Sequence, residues 1–151
     1  MKNTRRSALK VTGAFATLVS LGLITQSQAQ AAVDRSGFSV KTLDDALKAI
    51  GGNAAASDQI TVVSPDIAEN GAVVPVGVVS KMPNTTEIFI IIEKNPTPLA
   101  AVFMIPDGTA PDVQTRVKMG QSTNVIAVVK ADGKLFSAIK ETKVTLGGCG
   151  G

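Results

Sequence analysis

The chain has no histidine, no tryptophan and no tyrosine, and its 151 residues include a single cysteine. Without imidazole there is no histidine-activated nucleophile, no histidine general base and no histidine-ligated metal. One thiolate does not build a structural zinc site, so no bound metal or other cofactor is expected in this chain. Five phenylalanines are the only aromatic residues, too few to form a platform on which bases stack. There is no sustained basic patch either, and nucleic-acid binding has no support. Internal repeats, low-complexity tracts and interdomain linkers are also missing.

The polar residues that remain have structural explanations. Asp44 and Asp45 open a predicted helix, where acidic groups favour the helix N-terminus, while Asp66 (near Glu69) and Asp107 stand beside prolines in predicted turns. Arg116 and Lys118 are two apart on a predicted strand and so share a face. That alternation is what a half-exposed strand requires, and it outweighs an anion site.

Residues 1–31 contain Lys2, Arg5, Arg6 and Lys10, no acidic residue, an apolar stretch at 11–24 and the small-residue run Ser27-Gln28-Ala29-Gln30-Ala31. This pattern predicts an export signal. Arg5-Arg6 followed by Ser7-Ala8-Leu9-Lys10 looks like a twin-arginine signal, with Ala8 in place of the usual phenylalanine. The apolar stretch is shorter than the ~20 residues a spanning helix needs, which argues against a retained anchor and for a mature form off the membrane. Cleavage after Ala29 and after Ala31 fit the small-x-small rule equally well. Removal of the signal leaves 11 basic against 12 acidic residues, a net charge of −1, so the sequence pI of about 9.2 does not describe the mature protein. About 120 residues remain, enough for one domain with its own core.

Residues 32–146 read as mainly β. The exception is 42–50, where Thr42 is a helix cap and Leu43, Leu47 and Ile50 share a face before Gly51-Gly52 ends the segment. Seven runs rich in Val and Ile follow, at 60–63, 72–79, 88–92, 99–105, 113–119, 125–130 and 135–144. Turn residues separate them, most clearly Asp132-Gly133, which tolerates the positive φ of a tight hairpin. This punctuation predicts an immunoglobulin-like antiparallel β-sandwich with a short N-terminal helix. Pro75 cannot donate a ladder hydrogen bond and points to a sheet margin or a bulge. The run Ile88-Phe89-Ile90-Ile91-Ile92 is apolar at every position, so both its faces need cover, from a partner subunit or from an element such as the 42–50 helix.

The chain ends Gly147-Gly148-Cys149-Gly150-Gly151, which sets its only cysteine between glycines. Such a segment has little to bury against the entropy of ordering it, and it is expected to be a flexible arm. In an oxidising compartment an unpaired cysteine stays free, pairs with another chain or carries something. An exposed thiol ionises near pH ~8.5, and no cation or helix N-terminus stands beside Cys149 in the sequence to lower that value. Cys149 alone is therefore a poor catalyst, and its activation belongs to whatever pocket receives the arm. Three other classes fit less well. A disulfide-linked structural module does not need a glycine arm, a ubiquitin-like carrier is not exported, and a thiol oxidoreductase usually has a resolving cysteine.

The ending Val144-Thr145-Leu146-Gly147-Gly148-Cys149-Gly150-Gly151 resembles the terminus of the SoxY family, the carriers of bacterial thiosulfate oxidation. The stretch from Pro65-Asp66-Ile67-Ala68-Glu69-Asn70-Gly71 to Val76, together with Arg116-Val117-Lys118-Met119 and Ala131-Asp132-Gly133-Lys134, is similar to that family too. The resemblance implies a periplasmic, non-enzymatic carrier that forms a heterodimer with SoxZ. It also implies that Cys149 is loaded with thiosulfate by the haem cytochrome SoxAX. The dimanganese hydrolase SoxB and, where present, a sulfane dehydrogenase then process the adduct. Haem and manganese would belong to those partners.

Overall fold

The helix forms where its caps are. In the computed structural model, which describes residues 36–145, α1 spans Leu43–Ala49 after a 3-10 turn at Ser36–Ser39. Thr42 is extended, and its Oγ1 accepts from the Asp45 amide at 3.1 Å, satisfying one of the first-turn donors. Asp44 and Asp45 lie in the first turn and Lys48 in the last, matching the helix dipole. Gly51 and Gly52, with φ of 121° and 104°, turn the chain away.

Nine strands follow among the described residues: β1 Ala55–Ala56, β2 Ile60–Val63, β3 Ile67–Ala68, β4 Val74–Ser80, β5 Thr85–Ile92, β6 Leu99–Met104, β7 Asp112–Val117, β8 Thr123–Ala131 and β9 Lys134–Val144. They make two sheets, one ordered β1-β9-β8-β5-β6 with β3 also on β9, the other β2-β4-β7. All long ladders are antiparallel, giving the immunoglobulin-like sandwich expected. Asp132 and Gly133 both have positive φ (50° and 73°) and join β8 to β9 in a two-residue hairpin, with Ala131 opposite Lys134.

The core lies between the sheets. Strand alternation sends Val74, Val76 and Val78 of β4 inward against Ile88, Ile90 and Ile92 of β5 and Val125, Ala127 and Val129 of β8. The intervening residues Phe89, Ile91, Ile126 and Val128 face the other way and pack with Ala46, Leu43, Leu47 and Ile50 of the helix region. The continuous apolar run of β5 is thus explained within the chain: β5 is an interior strand, one face under the second sheet and one under α1.

Two expectations need correction. The seven predicted runs all form strands, but β1 and β3 add two-residue parallel pairings to β9. Pro75 is not on an edge strand, because β4 is the middle strand of its sheet. The β2 ladder stops at Val63 opposite Gly77, however, so Pro75 lies where β4 has only β7 beside it, opposite Arg116. The missing donor is accommodated at a local margin of a central strand.

Candidate functional site

The longest strand delivers the chain end. β9 runs 11 residues from the Asp132-Gly133 hairpin to Val144, and its far end is fastened on both flanks. On one side the Lys143 amide donates to the Asp66 carbonyl at 2.9 Å and the Thr145 amide to the Ala68 carbonyl at 3.1 Å, the pairing that defines β3. On the other, the Val144 amide donates to Ser122 Oγ at 2.9 Å. One turn of the pleat earlier, Thr142 is fully buried and its hydroxyl donates to Ser64 Oγ at 2.9 Å. Lys140 Nζ donates to the Ser64 carbonyl at 2.6 Å and pairs with Asp66 at 3.1 Å.

The segment that reaches β9 from outside is itself held in shape. Asn70 Oδ1 accepts from the Ala72 amide at 2.9 Å, closing a turn that brings the Gly71 carbonyl to the Met119 amide at 2.7 Å. A Cβ on Gly71 would lie 2.4 Å from the Met119 carbonyl oxygen and 2.9 Å from Val144 Cγ1, so the approach of this turn to the end of β9 requires glycine. The stretch from Pro65 to Val76 that carries the family resemblance therefore lies along the root of the C-terminal arm.

Cys149 and the arm glycines Gly147, Gly148, Gly150 and Gly151 lie outside the described residues, as do Arg5 and Arg6 of the expected export signal. The described chain stops at Thr145, four residues short of the thiol. Covalent geometry limits the distance between the Thr145 and Cys149 Cα atoms to about 14 Å.

The described residues contain no group of three or more His, Cys, Asp or Glu placed to hold a metal. No helix among them is long and apolar enough to cross a membrane. A cleft of about 310 Å³ on the outer face of the smaller sheet is lined by Val63, Ser64, Pro65, Pro75, Val76, Gly77, Gln114 and Thr115, none of them ionisable. A smaller, polar recess of about 160 Å³ contains Asp107 in its Pro106–Pro111 turn, as the turn reading of that carboxylate expects. Asp66 is an ion-pair partner and Asp44 and Asp45 are at the helix start. Arg116 is exposed on β7, and Lys118 is exposed just beyond its end, alternating with buried Val117 and Met119.

The described residues thus form an immunoglobulin-like sandwich whose last strand, β9, is fastened on both flanks up to Thr145. The model of the family "Sulfur oxidation protein SoxY" matches residues 47–149. The sulfur carrier protein SoxY from Chlorobium limicola f thiosulfatophilum is similar at 40% identity and a TM-score of 0.63, over 70% of this chain and 97% of that one. The chain belongs to the SoxY family. Two variants of the superoxide reductase (neelaredoxin) from Ignicoccus hospitalis each match 58% of this chain and 80% of their own at 21% identity and a TM-score of 0.51, a likeness of fold alone. No curated protein matches the chain.

Proposed function

We propose that this chain is a sulfur carrier that holds thiosulfate-derived intermediates covalently on Cys149 and presents them to partner enzymes in the periplasm. The observation that supports this most directly is that the family match runs to residue 149, so its last residue is the only cysteine in the chain. Oxidative coupling joins the thiol to the outer sulfur of thiosulfate, releasing one proton and two electrons to the haem cytochrome SoxAX and leaving a cysteine S-thiosulfonate. Water then attacks the terminal sulfonate at the dimanganese hydrolase SoxB, giving sulfate and a cysteine persulfide. A sulfane dehydrogenase, where present, oxidises the remaining sulfur, and hydrolysis restores the thiol.

This division of labour agrees with the chemistry the chain possesses. It supplies a tether, and each redox centre or metal belongs to a partner. A covalent tether keeps the intermediate from diffusing away and sets its effective concentration at a docked enzyme by arm length. Glycine on both sides keeps the arm narrow enough for a pocket to surround it. We further propose that the mature chain pairs with SoxZ and follows the twin-arginine route, for which Arg5-Arg6 is the sequence support.

The reading is tested by intact mass and a C-terminal peptide map of mature protein purified, without reductant, from cells growing on thiosulfate. Reductant-sensitive adducts of sulfur or thiosulfonate on Cys149 are expected. An unmodified thiol, or only a disulfide between two copies, would favour the crosslinked structural module instead.

A further inference from the structure

The geometry points to the segment beside the arm root, with Ile67 and Val73 at its exposed apolar positions, as the surface on which the enzymes that process Cys149-bound sulfur dock. The inference rests on the carrier reading of Cys149 and adds where its partners touch the folded domain. Three hydrogen bonds, from Lys143 to Asp66, Val144 to Ser122 and Thr145 to Ala68, fix the end of β9. From Thr145 the thiol-bearing residue is at most about 14 Å away. A pocket deep enough to surround Cys149 must therefore bring its rim against the surface bordering Thr145.

That border is the segment containing β3 and the Asn70 turn. Ile67, opposite Lys143 in the β3–β9 pairing, is 59% exposed, and Val73, just past the turn, is 52% exposed. Both are large apolar side chains left in solvent on a segment held by hydrogen bonds: the Asp66 and Ala68 carbonyls accept from the end of β9, Asn70 Oδ1 accepts from the Ala72 amide, and the Gly71 carbonyl accepts from the Met119 amide. A preorganised surface loses little entropy on docking. Two apolar contacts support an encounter that is specific and still brief, as exchange among successive enzymes requires. The partner surface that fits is the apolar rim of a thiol-adduct pocket.

The test uses the full-length, signal-processed chain treated with tetrathionate. The Cys149 thiolate attacks the central S–S bond, expels thiosulfate and retains an S-thiosulfonate, so loading needs no partner enzyme. Sulfate release by a purified thiosulfonate hydrolase is then followed against carrier concentration. Ile67→Asp and Val73→Asp are each expected to raise KM about tenfold with kcat changed by less than about twofold, since losing docking removes uniform binding. Met104→Asp, on β6 at the opposite margin of the same sheet, is expected to change neither. Wild-type KM in both arm-root variants would overturn the docking surface and leave the carrier reading intact. A KM rise matched by an equal fall in Cys149 alkylation by iodoacetamide would trace the effect to the arm and overturn it too. No sulfate from the loaded wild-type chain would overturn the carrier reading and this inference with it.

Discussion

At the scale of single residues, the proposed function rests on one thiol and the structure on how closely neighbours approach. Cys149→Ser is expected to abolish sulfur loading, read by intact mass, while the thermal midpoint stays at the wild-type value, because the exchange is nearly isosteric and falls in the glycine-flanked segment that the sequence predicts to be a flexible arm. Gly148→Val keeps the thiol but thickens the arm: loading by tetrathionate should match wild type, and turnover by partner enzymes should fall. Wild-type turnover by Gly148→Val would refute the narrow-arm argument. Gly71→Ala tests the root. Its Cβ would meet a backbone oxygen, that of Met119, at 2.4 Å, and no flexible side chain can simply swing aside to relieve that contact. Overpacking of this kind costs ~1–3 kcal/mol, so a lower urea midpoint with an unchanged slope is expected.

At the scale of elements, the fastening of β9 has a separable part. Ser122→Ala removes the acceptor of the Val144 amide, and a lost hydrogen bond of this kind costs about 1 kcal/mol. Hydrogen exchange at Val144 should quicken, and Ser122→Thr, which keeps the hydroxyl, should restore protection; unchanged exchange in Ser122→Ala would show that β3 alone holds the strand. The elements differ in how far they can be read from sequence. β2 forms over the same residues as its apolar run, and β9 differs from its run by one residue, because strands that face a core announce themselves locally. β5 begins earlier than its run, at Thr85, since the polar residues Thr85 and Glu87 also pair with β8. β1 and β3 are invisible locally: two residues carry no pattern, and each exists only because β9, far along the chain, passes beside it. Pro75 is legible as a residue lacking a donor, but a donor is lost on one side at one position, which does not make its whole strand an edge. The site divides in the same way. Cys149 stands out between its glycines, whereas Ser64, Asp66 and Ala68 on one side and Ser122 on the other are far from the end of β9 in sequence and meet it only through strand register.

At the scale of the whole molecule, the arm and the domain act together only if arm length matches the distance from docking surface to pocket floor, and this yields an asymmetric expectation. Cys149 lies four residues beyond Thr145. Deleting Gly147-Gly148 shortens the maximal reach by about 7 Å, half of the ~14 Å available. A docked enzyme cannot recover that deficit, so sulfate release from the tetrathionate-loaded deletion variant should be nearly abolished. Inserting two further glycines leaves every contact possible and only dilutes the thiol within a larger volume. Effective concentration falls roughly as the −3/2 power of linker length, so going from four residues to six lowers it about twofold. The measurement is the initial rate of hydrolase-catalysed release at carrier concentrations below KM, for wild type, deletion and insertion side by side. Near-total loss on shortening with about a twofold loss on lengthening means that the domain docks and the arm spans the remaining distance. Equal, small losses in both directions would mean that the enzymes capture the arm alone. In that case the fastened end of β9 would serve the stability of the sheet and leave the delivery of Cys149 to the arm.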